Sequence, residues 1–313
     1  MINPIYKKDI ISAEQFSRRD LEYILSLTAS MKKMVESEGG NSLLRGRILT
    51  ALFYEPSSRT FGSFVAAMQR LGGGFVPLHG MGFSSVTKGE TLPDTIRTFA
   101  SYSDAIVLRH SDVGSAKLAA EFSDVPILNA GDGIGEHPTQ APQDIFTMQQ
   151  MLGSLKNMHI VFVGDLAHYR NVNSLVKALL LFPKITMTFV SPKEVQIQPQ
   201  LREYIKRHKA KIHEVEDLNH VVGDADVLYV TRVKKEYMSE ELYKKIKDKY
   251  VIDRNILKKM KKKSIIMHPL PRVGEIAVEV DLDQRAVYFR EQMRNGMYTR
   301  MALLASVLLK EVK

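Results

Sequence analysis

Cysteine is absent from the 313-residue sequence, and no apolar run approaches the ~20 residues of a membrane-spanning helix. Without cysteine the chain can have no disulfide framework, no thiolate zinc site and no cysteine nucleophile. The N-terminal stretch MINPIYKKDI carries charge from Lys7 onward and lacks an apolar segment, so it does not resemble a signal peptide. These absences predict an intracellular, cytoplasmic protein without a membrane partner.

The sequence also lacks the motifs of common nucleotide-binding sites. The stretch GSLKNMHIVFVGDLAH contains neither a GxGxxG turn nor a GxxxxGK[ST] loop, which disfavours a dinucleotide site and a P-loop. No group of His, Asp and Glu residues has the spacing of a metal site. We therefore expect neither a metal nor a cofactor.

Acidic residues are fewer than basic ones, with 35 Asp and Glu against 44 Lys and Arg, and the formal net charge is +9. Such a balance is compatible with nucleic acid, an acidic partner or anionic substrates. The densest basic run, LKKMKKKS at 257–264, has no nucleic-acid motif beside it and is typical of a solvated helix face. We expect no nucleic-acid partner.

Short apolar runs alternate with helix-like segments along the chain, a pattern that predicts an α/β fold of parallel sheets with crossover helices. The length suits two domains. The predicted strands are 48–53, 75–78, 105–108, 125–128, 159–163, 185–190, 226–230 and 264–267. The helices with the clearest apolar periodicity or end signals are predicted at 12–37, from about 91, from 137 or 138, and at 296–309.

The stretch LTALFYEPSSRTFGSFVAAMQRL at 49–71 predicts a strand, a tight polar loop and a helix. Ser57, Ser58, Arg59 and Thr60 fall at the start of that helix, where unpaired N–H groups and the helix dipole favour an anion. The planar guanidinium of Arg59 suits phosphate. The alternative is an ordinary N-cap, in which a serine serves only the local structure.

Polar clusters follow nearly every predicted strand. Each of five arginines lies just after such a strand: Arg59, Arg109, Arg170, Arg232 and Arg272. Because ligands of open α/β sheets bind beyond the carboxyl ends of the strands, we expect these side chains at one crevice between two sheets. Guanidiniums gathered there need anions such as phosphate and carboxylates, although any single one could form a surface ion pair.

Three histidines are candidates for acid–base or polarising roles: His110, His137 and His268. Each could instead be a structural hydrogen-bonding residue. His137 and Gln140 lie three residues apart at the predicted start of a helix and would share one face. The long loop at 79–91, which carries Lys88, is either functional or a disordered tip.

Several stretches together resemble the aspartate/ornithine carbamoyltransferase family from about residue 43 to the C-terminus. They are FYEPSSRT, KGETLPDT, VLRH, NAGDGIGEHPTQ, FVGDL, DVLYVTRV, MHPLPRVGEI and NGMYTRMALL. Ornithine-specific members have a cysteine in an HCLP stretch and an SMG loop. This chain has Pro269 in HPLP, no cysteine, and TRVKKE at the loop position, so the resemblance favours aspartate as the acceptor.

The resemblance implies a role for each residue that matches the family motifs. The phosphate of carbamoyl phosphate would be held by Ser57, Ser58, Arg59, Thr60 and Arg109, with Ser84 and Lys88 supplied by a neighbouring subunit. The carbamoyl group would be held by Thr60, Arg109, His137, Gln140 and the backbone carbonyls of Pro269 and Leu270. The carboxylates of aspartate would be held by Arg170 and Arg232, with Lys88 reaching both ligands.

In the implied reaction the amine of L-aspartate attacks the carbamoyl carbon and phosphate leaves. Thr60, Arg109 and His137 would stabilise the oxyanion. Arg59 and Lys88 would stabilise the leaving phosphate, which can itself accept the amine proton. The rate gain would come from holding two anions together, with no protein nucleophile.

The resemblance further implies two α/β domains with the active site between them and at a subunit interface. Residues 1–137 plus 294–313 would bind carbamoyl phosphate, and 150–285 would bind aspartate. A homotrimer is implied, sometimes joined by a separate zinc-binding regulatory chain, in an early step of pyrimidine biosynthesis. The alternatives are a different amine acceptor or an inactive scaffold.

Three positions depart from the family pattern. Ser58 stands where relatives usually have Thr, which keeps the hydroxyl. Gly274 stands where they often have Asp, and Lys234 where they usually have Gln. Lys234 either binds a substrate carboxylate, which we expect, or faces solvent or pairs with Glu236 or Glu275.

Overall fold

The computed structural model describes residues 3–80 and 84–312 and divides the chain into two compact units. The first unit comprises Met1–Phe146 and Arg294–Lys313, and the second comprises Thr147–Met293. Each unit has its own wholly parallel sheet flanked by helices, which confirms the predicted fold class. Within the described ranges, no helix combines the length and apolarity that crossing a bilayer requires.

The sheet of the first unit has four strands in the order β2-β1-β3-β4. They are β1 (Ile48–Phe53), β2 (Gly74–His79), β3 (Ala105–His110) and β4 (Ile127–Asp132). The helices that begin in this unit are α1 (Arg18–Glu38), α2 (Ser58–Arg70), α3 (Leu92–Ala100), α4 (Ser115–Glu121) and α5 (Ala141–Leu152). Side chains of β1, β3 and β4 fill the core, as expected for strands covered on both faces.

The sheet of the second unit has five strands in the order β7-β6-β5-β8-β9. They are β5 (His159–Val163), β6 (Thr186–Val190), β7 (Ile212–Val215), β8 (Val227–Val230) and β9 (Ile265–Met267). The helices that follow α5 are α6 (Arg170–Leu179), α7 (Pro199–Arg207), α8 (Glu240–Ile246), α9 (Arg254–Lys259) and α10 (Glu291–Leu308).

Three helix boundaries differ from those predicted. The helix predicted at 12–37 is a 3-10 turn at Ala13–Gln15 followed by α1, because Ser17 and Asp20 form a capping box that starts the longer helix anew. The helix expected from residue 137 or 138 begins at Ala141. The last helix begins at Glu291, five residues earlier than expected.

Strand β7 was not predicted, and its position in the sheet explains why. Among the described strands it lies at the edge of the sheet and pairs with β6 alone, so most of its residues are partly exposed. His213 and Glu214 interrupt its apolar residues, and an edge strand needs only a weak alternating pattern. The segment was therefore indistinguishable from a polar loop by sequence pattern.

Gly164, directly after β5, allows two chain segments of the second unit to approach closely. Its φ is +119°, and a Cβ there would lie 2.2 Å from the carbonyl oxygen of Thr231, the residue after β8. The Thr231 N–H and hydroxyl in turn donate to the Val163 carbonyl at 2.8 and 3.1 Å. Glycine is thus required where the segments that lead to Arg170 and Arg232 meet.

We expect Gly164→Ala to lower the free energy of unfolding by about 3–5 kcal/mol, because it combines backbone strain with a clash against backbone atoms. The matched control is Gly153→Ala, since Gly153 has a φ of +80° but no atom within 4 Å of a Cβ. That change should remove only about 1 kcal/mol. Urea unfolding of the two variants checks this, and equal losses would contradict the close approach.

Candidate active site

The SSRT segment in the first unit lies at the N-terminus of α2, directly after β1. Ser57 is the N-cap residue, yet within the described part of the chain its side chain makes no capping hydrogen bond. The ordinary N-cap alternative is therefore not what the structure shows. Thr60 is buried, whereas Ser58 and Arg59 are exposed. A helix N-terminus with accessible hydroxyls and a guanidinium can bind an anion.

Arg109 lies near the end of β3, opposite Phe53 of the neighbouring β1. Its Nη1 donates to the Ala130 carbonyl of β4 at 3.2 Å, and its Nε is 3.3 Å from a carboxylate oxygen of Glu55. The guanidinium is thus fixed across the carboxyl ends of three adjacent strands. Glu55 was not singled out from the sequence, although a carboxylate directly after β1 was a signal for an ion pair.

The loop between β4 and His137 is organised by the carboxylate of Asp132. It accepts hydrogen bonds from the backbone N–H groups of Gly114 at 2.9 Å and Glu136 at 2.8 Å. The Asn129 amide donates to it at 3.3 Å. These contacts shape the glycine-rich turn and place His137, which is 2% exposed, at its end.

Thr139 determines which nitrogen of His137 carries a proton. The Thr139 hydroxyl donates its single hydrogen to the Asn129 carbonyl at 3.0 Å and lies 3.1 Å from His137 Nδ1. Because that hydrogen is already used, Nδ1–H must be the donor to Thr139. The neutral ring then has Nε2 as an acceptor, and Nε2 can donate only when the ring is protonated. Sequence reasoning did not single out Thr139.

Gln140 precedes α5 and lies in the same turn as His137, closed by a 3.0 Å hydrogen bond from the Gln140 N–H to the His137 carbonyl. The shared helical face predicted for the pair is therefore wrong. The Gln140 amide donates to Asp144 at 3.4 Å.

Arg300 donates to Gln143 at 3.0 Å, and burial lowers the pKa of Arg300 to about 10 although Asp144 opposes the shift.

The loop predicted at 79–91 falls partly outside the described residues, at positions 81–83. Its second half forms a 3-10 helix at Ser85–Lys88, so this part is ordered. The Ser84 hydroxyl accepts the Val86 N–H at 3.3 Å, and Lys88 is exposed. Lys88 is thus held at the end of a short turn.

In the second unit, Arg170 is the first residue of α6 and is buried. Arg232 follows β8 and donates to Glu236, at 3.2 Å from Nη1. Burial disfavours the charge of Arg232, but the hydrogen bonds and charge of Glu236 outweigh it and raise the pKa of Arg232. Across the described residues, no hydrogen-bond partner is found for the buried Nε of Arg232.

Lys234 adopts an arrangement that neither alternative from the sequence describes. Its ammonium donates to the His168 carbonyl at 2.8 Å and lies 4.9 Å from the ring centroids of both Tyr169 and Tyr237. Burial, and secondly the charge of Arg170, lower the pKa of Lys234 to about 8. Direct contact with a substrate carboxylate stays a prediction.

His268 is structural, so its acid–base candidacy is wrong. The fully buried ring accepts the Leu270 N–H at Nδ1, at 2.7 Å, and binds Glu275 through Nε2 at 2.6 Å. Burial alone would raise the pKa of Glu275, but the hydrogen bond with His268 lowers it. His268 and Glu275 thereby fix the backbone at Pro269 and Leu270.

Two other candidates are held by neighbours within their own units. Arg272 binds Asp281 with two nitrogens, one at 2.6 Å, and lies 5.1 Å from the Phe289 ring centroid. Its guanidinium is thus used inside the second unit, which corrects the expectation that it binds a ligand anion. His110 accepts the Asp112 N–H at Nδ1, at 3.1 Å, and its ring packs on Tyr54.

Each unit therefore carries a cationic region where strands end. In the first unit it comprises the start of α2 and Arg109, a set suited to phosphate. In the second unit Arg170, Arg232 and Lys234 are close enough that the charges of both arginines lower the pKa of the lysine. Such crowding of cations favours a ligand with more than one negative charge.

Two family models match most of the chain. One, described as the aspartate/ornithine carbamoyltransferase carbamoyl-P binding domain, matches residues 8–150. The other, described as the Asp/Orn binding domain of the same family, matches residues 156–307.

Similar proteins include the Arabidopsis thaliana "Aspartate carbamoyltransferase, chloroplastic", 44% identical over 96% of this chain and 77% of that protein. The Saccharomyces cerevisiae "Multifunctional protein URA2" is 46% identical over 98% of this chain. This chain spans only 14% of the length of that multifunctional relative.

Among solved structures, Trypanosoma cruzi aspartate transcarbamoylase in complex with carbamoyl phosphate and aspartate has a TM-score of 0.92, at 43% identity over 98% of this chain and 97% of that one. The same enzyme in complex with N-(phosphonacetyl)-L-aspartic acid has a TM-score of 0.93, at 43% identity over 98% of both chains. With both family models matched and these identities over nearly its whole length, the chain belongs to the aspartate/ornithine carbamoyltransferase family.

Proposed function

We propose that this chain is an aspartate carbamoyltransferase, which transfers the carbamoyl group of carbamoyl phosphate to the amine of L-aspartate. The products are N-carbamoyl-L-aspartate and phosphate, in an early step of pyrimidine biosynthesis. The observation that carries the proposal is family membership of both halves, together with the three cations of the second unit. A dicarboxylate acceptor suits those cations better than ornithine, whose side chain is itself cationic.

The first unit supplies the proposed carbamoyl phosphate site. The phosphate is held by the N-terminus of α2 with Ser57, Ser58, Arg59 and Thr60, by Arg109, and by Ser84 and Lys88. The carbamoyl group is held by Thr60, Arg109, His137 and Gln140, and the family resemblance adds the backbone carbonyls of Pro269 and Leu270. The proposed aspartate site comprises Arg170 and Arg232, with Lys88, and Lys234 lies beside the two arginines.

Charge develops at two places when the amine attacks the carbamoyl carbon. Arg109 and Thr60 stabilise the oxyanion. His137 joins them as a donor from Nε2 when its ring is protonated, because in the neutral ring the proton is on Nδ1, which binds Thr139. Arg59 and Lys88 stabilise the leaving phosphate. As the bond from the carbamoyl carbon to the phosphate oxygen breaks, the phosphate oxygens accept the proton of the amine, so the chain needs no general base of its own.

The direct test supplies purified protein with carbamoyl phosphate and either L-aspartate or L-ornithine, and follows both carbamoylated products. We expect carbamoyl-aspartate alone. Formation of carbamoyl-ornithine would assign a different acceptor, and the absence of turnover with either amine would support an inactive scaffold.

We expect Arg59→Ala to lower kcat by about 10²–10³-fold, the usual loss on removing one group that stabilises transition-state charge. Binding of carbamoyl phosphate should weaken less, since the helix N-terminus and Arg109 remain. The control is Arg70→Ala at the other end of α2, where the guanidinium binds the Gly39 carbonyl. A near-normal kcat for Arg59→Ala would rule out the assigned role.

We expect Thr139→Val to lower kcat about 10-fold, because a buried ring donor loses its partner and His137 loses its fixed orientation, a loss of about 1–3 kcal/mol. The matched control is Thr28→Val, since Thr28 is also buried and its hydroxyl binds the Ile24 carbonyl of α1. Steady-state kinetics at saturating substrates measures the effect. Equal kcat values for the two variants would show that Thr139 serves stability alone.

The proposed assembly is a homotrimer in which Lys88 serves the site of a neighbouring subunit. Inactive Lys88→Ala chains are mixed with inactive Arg170→Ala chains and allowed to reassemble. A shared site restores both groups at some positions, so activity should return. If wild-type chains survive the same treatment and the hybrids stay inactive, Lys88 acts within its own subunit or the assembly is not a trimer.

Three further features are proposals: a zinc-binding regulatory chain that joins the trimer, a cytoplasmic location, and a whole protein that consists of this chain and is not part of a longer multifunctional one. Relatives include a protein named chloroplastic and long multifunctional chains in which the matching region is one part. Size-exclusion chromatography of the native protein from its source, with cell fractionation, tests all three.

A further inference from the structure

Among the described residues, the groups that hold the ammonium of Lys234 belong to its own unit and contain no carboxylate. Its Nζ donates to the backbone carbonyl of His168 at 2.8 Å, and the ring centroids of Tyr169 and Tyr237 each lie 4.9 Å away. A carbonyl acceptor and two aromatic faces stabilise an ammonium by charge–dipole and cation–π interactions. The segment after β8 is thereby fastened to the loop between β5 and α6.

Other contacts join the same two segments and share residues with the Lys234 contact. The carboxylate of Asp165 accepts the Lys234 N–H at 3.2 Å and lies 3.0 Å from the His168 ring Nδ1. The His168 ring stacks on Tyr237 with centroids 5.3 Å apart. Lys234 is the cation at the centre of this set.

Both ends of this link adjoin an arginine of the proposed aspartate site. Tyr169 is the N-cap residue of α6 and directly precedes Arg170. Lys234 follows Arg232 by two residues. Moving either segment would therefore change the distance between the two guanidiniums, and two carboxylates on a short carbon chain require a fixed distance.

The link holds although the surroundings disfavour a charge on Lys234. Burial and the charges of Arg170 and Arg232 lower its pKa, Asp165 and Glu236 oppose that shift, and the pKa is about 8. His168, Tyr169 and Tyr237 are the other titratable groups in contact with it. Near neutral pH the ammonium persists, and it is lost as the pH rises through about 8.

We propose that Lys234 is a positioning residue, which holds Arg170 and Arg232 at the separation that the two carboxylates of aspartate require without itself binding them. This inference rests on the proposed function, since it assumes a dicarboxylate acceptor. Direct binding of a carboxylate by Lys234 is the alternative, and the test separates the two.

The first measurement compares Lys234→Met with Lys235→Met. Methionine keeps the length of the stem but has no donor and no charge. Lys235→Met is the matched control, because it removes the same charge from the adjacent residue. Lys235 is exposed, and its ammonium pairs with Glu240 at 2.8 Å. Lys234→Met should raise the KM for aspartate and the Ki for succinate about 10-fold, the loss expected for one charge-assisted hydrogen bond, with kcat nearly unchanged.

The second measurement is the pH profile of the succinate Ki. Succinate has both carboxylates and no amine, so the ligand itself does not titrate between roughly pH 7 and 9. In the wild-type protein the Ki should rise as the pH passes about 8, because the ammonium that fastens the two segments is lost. In Lys234→Met the rise should be absent, and in Lys235→Met it should match the wild type.

The third measurement separates positioning from direct binding. Lysine side chains are labelled with ¹³C at Cε, and the Lys234 signal is assigned by its loss in Lys234→Met. Close contact with two aromatic rings shifts this signal upfield. Positioning predicts that the shift persists at saturating succinate. A signal that moves toward ordinary lysine values on binding would show that the ammonium leaves the rings for the ligand, which overturns the proposal.

Failure of the inference differs from failure of the proposed function. A wild-type protein that neither carbamoylates aspartate nor binds succinate refutes the function. An active wild-type protein with an unchanged Ki in Lys234→Met refutes only the positioning role. If Lys234→Met does not fold, Lys234→Gln is the second variant, because its amide keeps a donor without the charge. Its succinate Ki should lose the rise near pH 8, and a retained rise refutes the role.

Discussion

Parallel strands all end at the same edge of a sheet, and this constraint determines where the cations of the chain can lie. β1 and β3 deliver Arg59 and Arg109 to one edge in the first unit, and β5 and β8 deliver Arg170 and Arg232 to one edge in the second. A backbone turn must follow each strand there, so polar groups and helix N-termini accumulate. In the second unit the turn after β5 also depends on Gly164, because no side chain fits against Thr231.

Cations gathered in this way need compensation before a substrate arrives, and the chain provides it in several forms. Arg109 pairs with Glu55, Arg232 pairs with Glu236, and Lys234 uses a carbonyl and two rings. The carboxylate of Glu236 is about half exposed, so a substrate carboxylate can compete with it for Arg232.

The sequence predicted those features that depend on local chain order. The strand–loop–helix around Arg59, the parallel sheets and the arginines at strand ends follow from apolar runs and from the polar residues directly after them. Features that depend on contacts distant in sequence were not predictable. From the sequence, Arg272 was expected to face an anion and His268 was a candidate for acid–base chemistry. The structure pairs Arg272 with Asp281 and His268 with Glu275. Both partners lie seven or more residues away, and no periodicity connects them.

The departures from the family pattern are best understood by what surrounds them. Gly274 has a φ of +101° and nothing within 4 Å of a Cβ, so glycine relieves backbone strain there without opening a cavity.

Lys234 meets a different requirement. Its described side-chain neighbours are a carbonyl and the faces of two tyrosines, which can accept from a donor but cannot donate to an amide oxygen. An ammonium, which has donors only, matches these acceptors although burial and the nearby arginines lower its pKa. A glutamine would leave its carbonyl without a partner among them. The lysine and its aromatic neighbours therefore form one mutually adapted set, and its effect on aspartate binding is transmitted through the two arginines that this set holds.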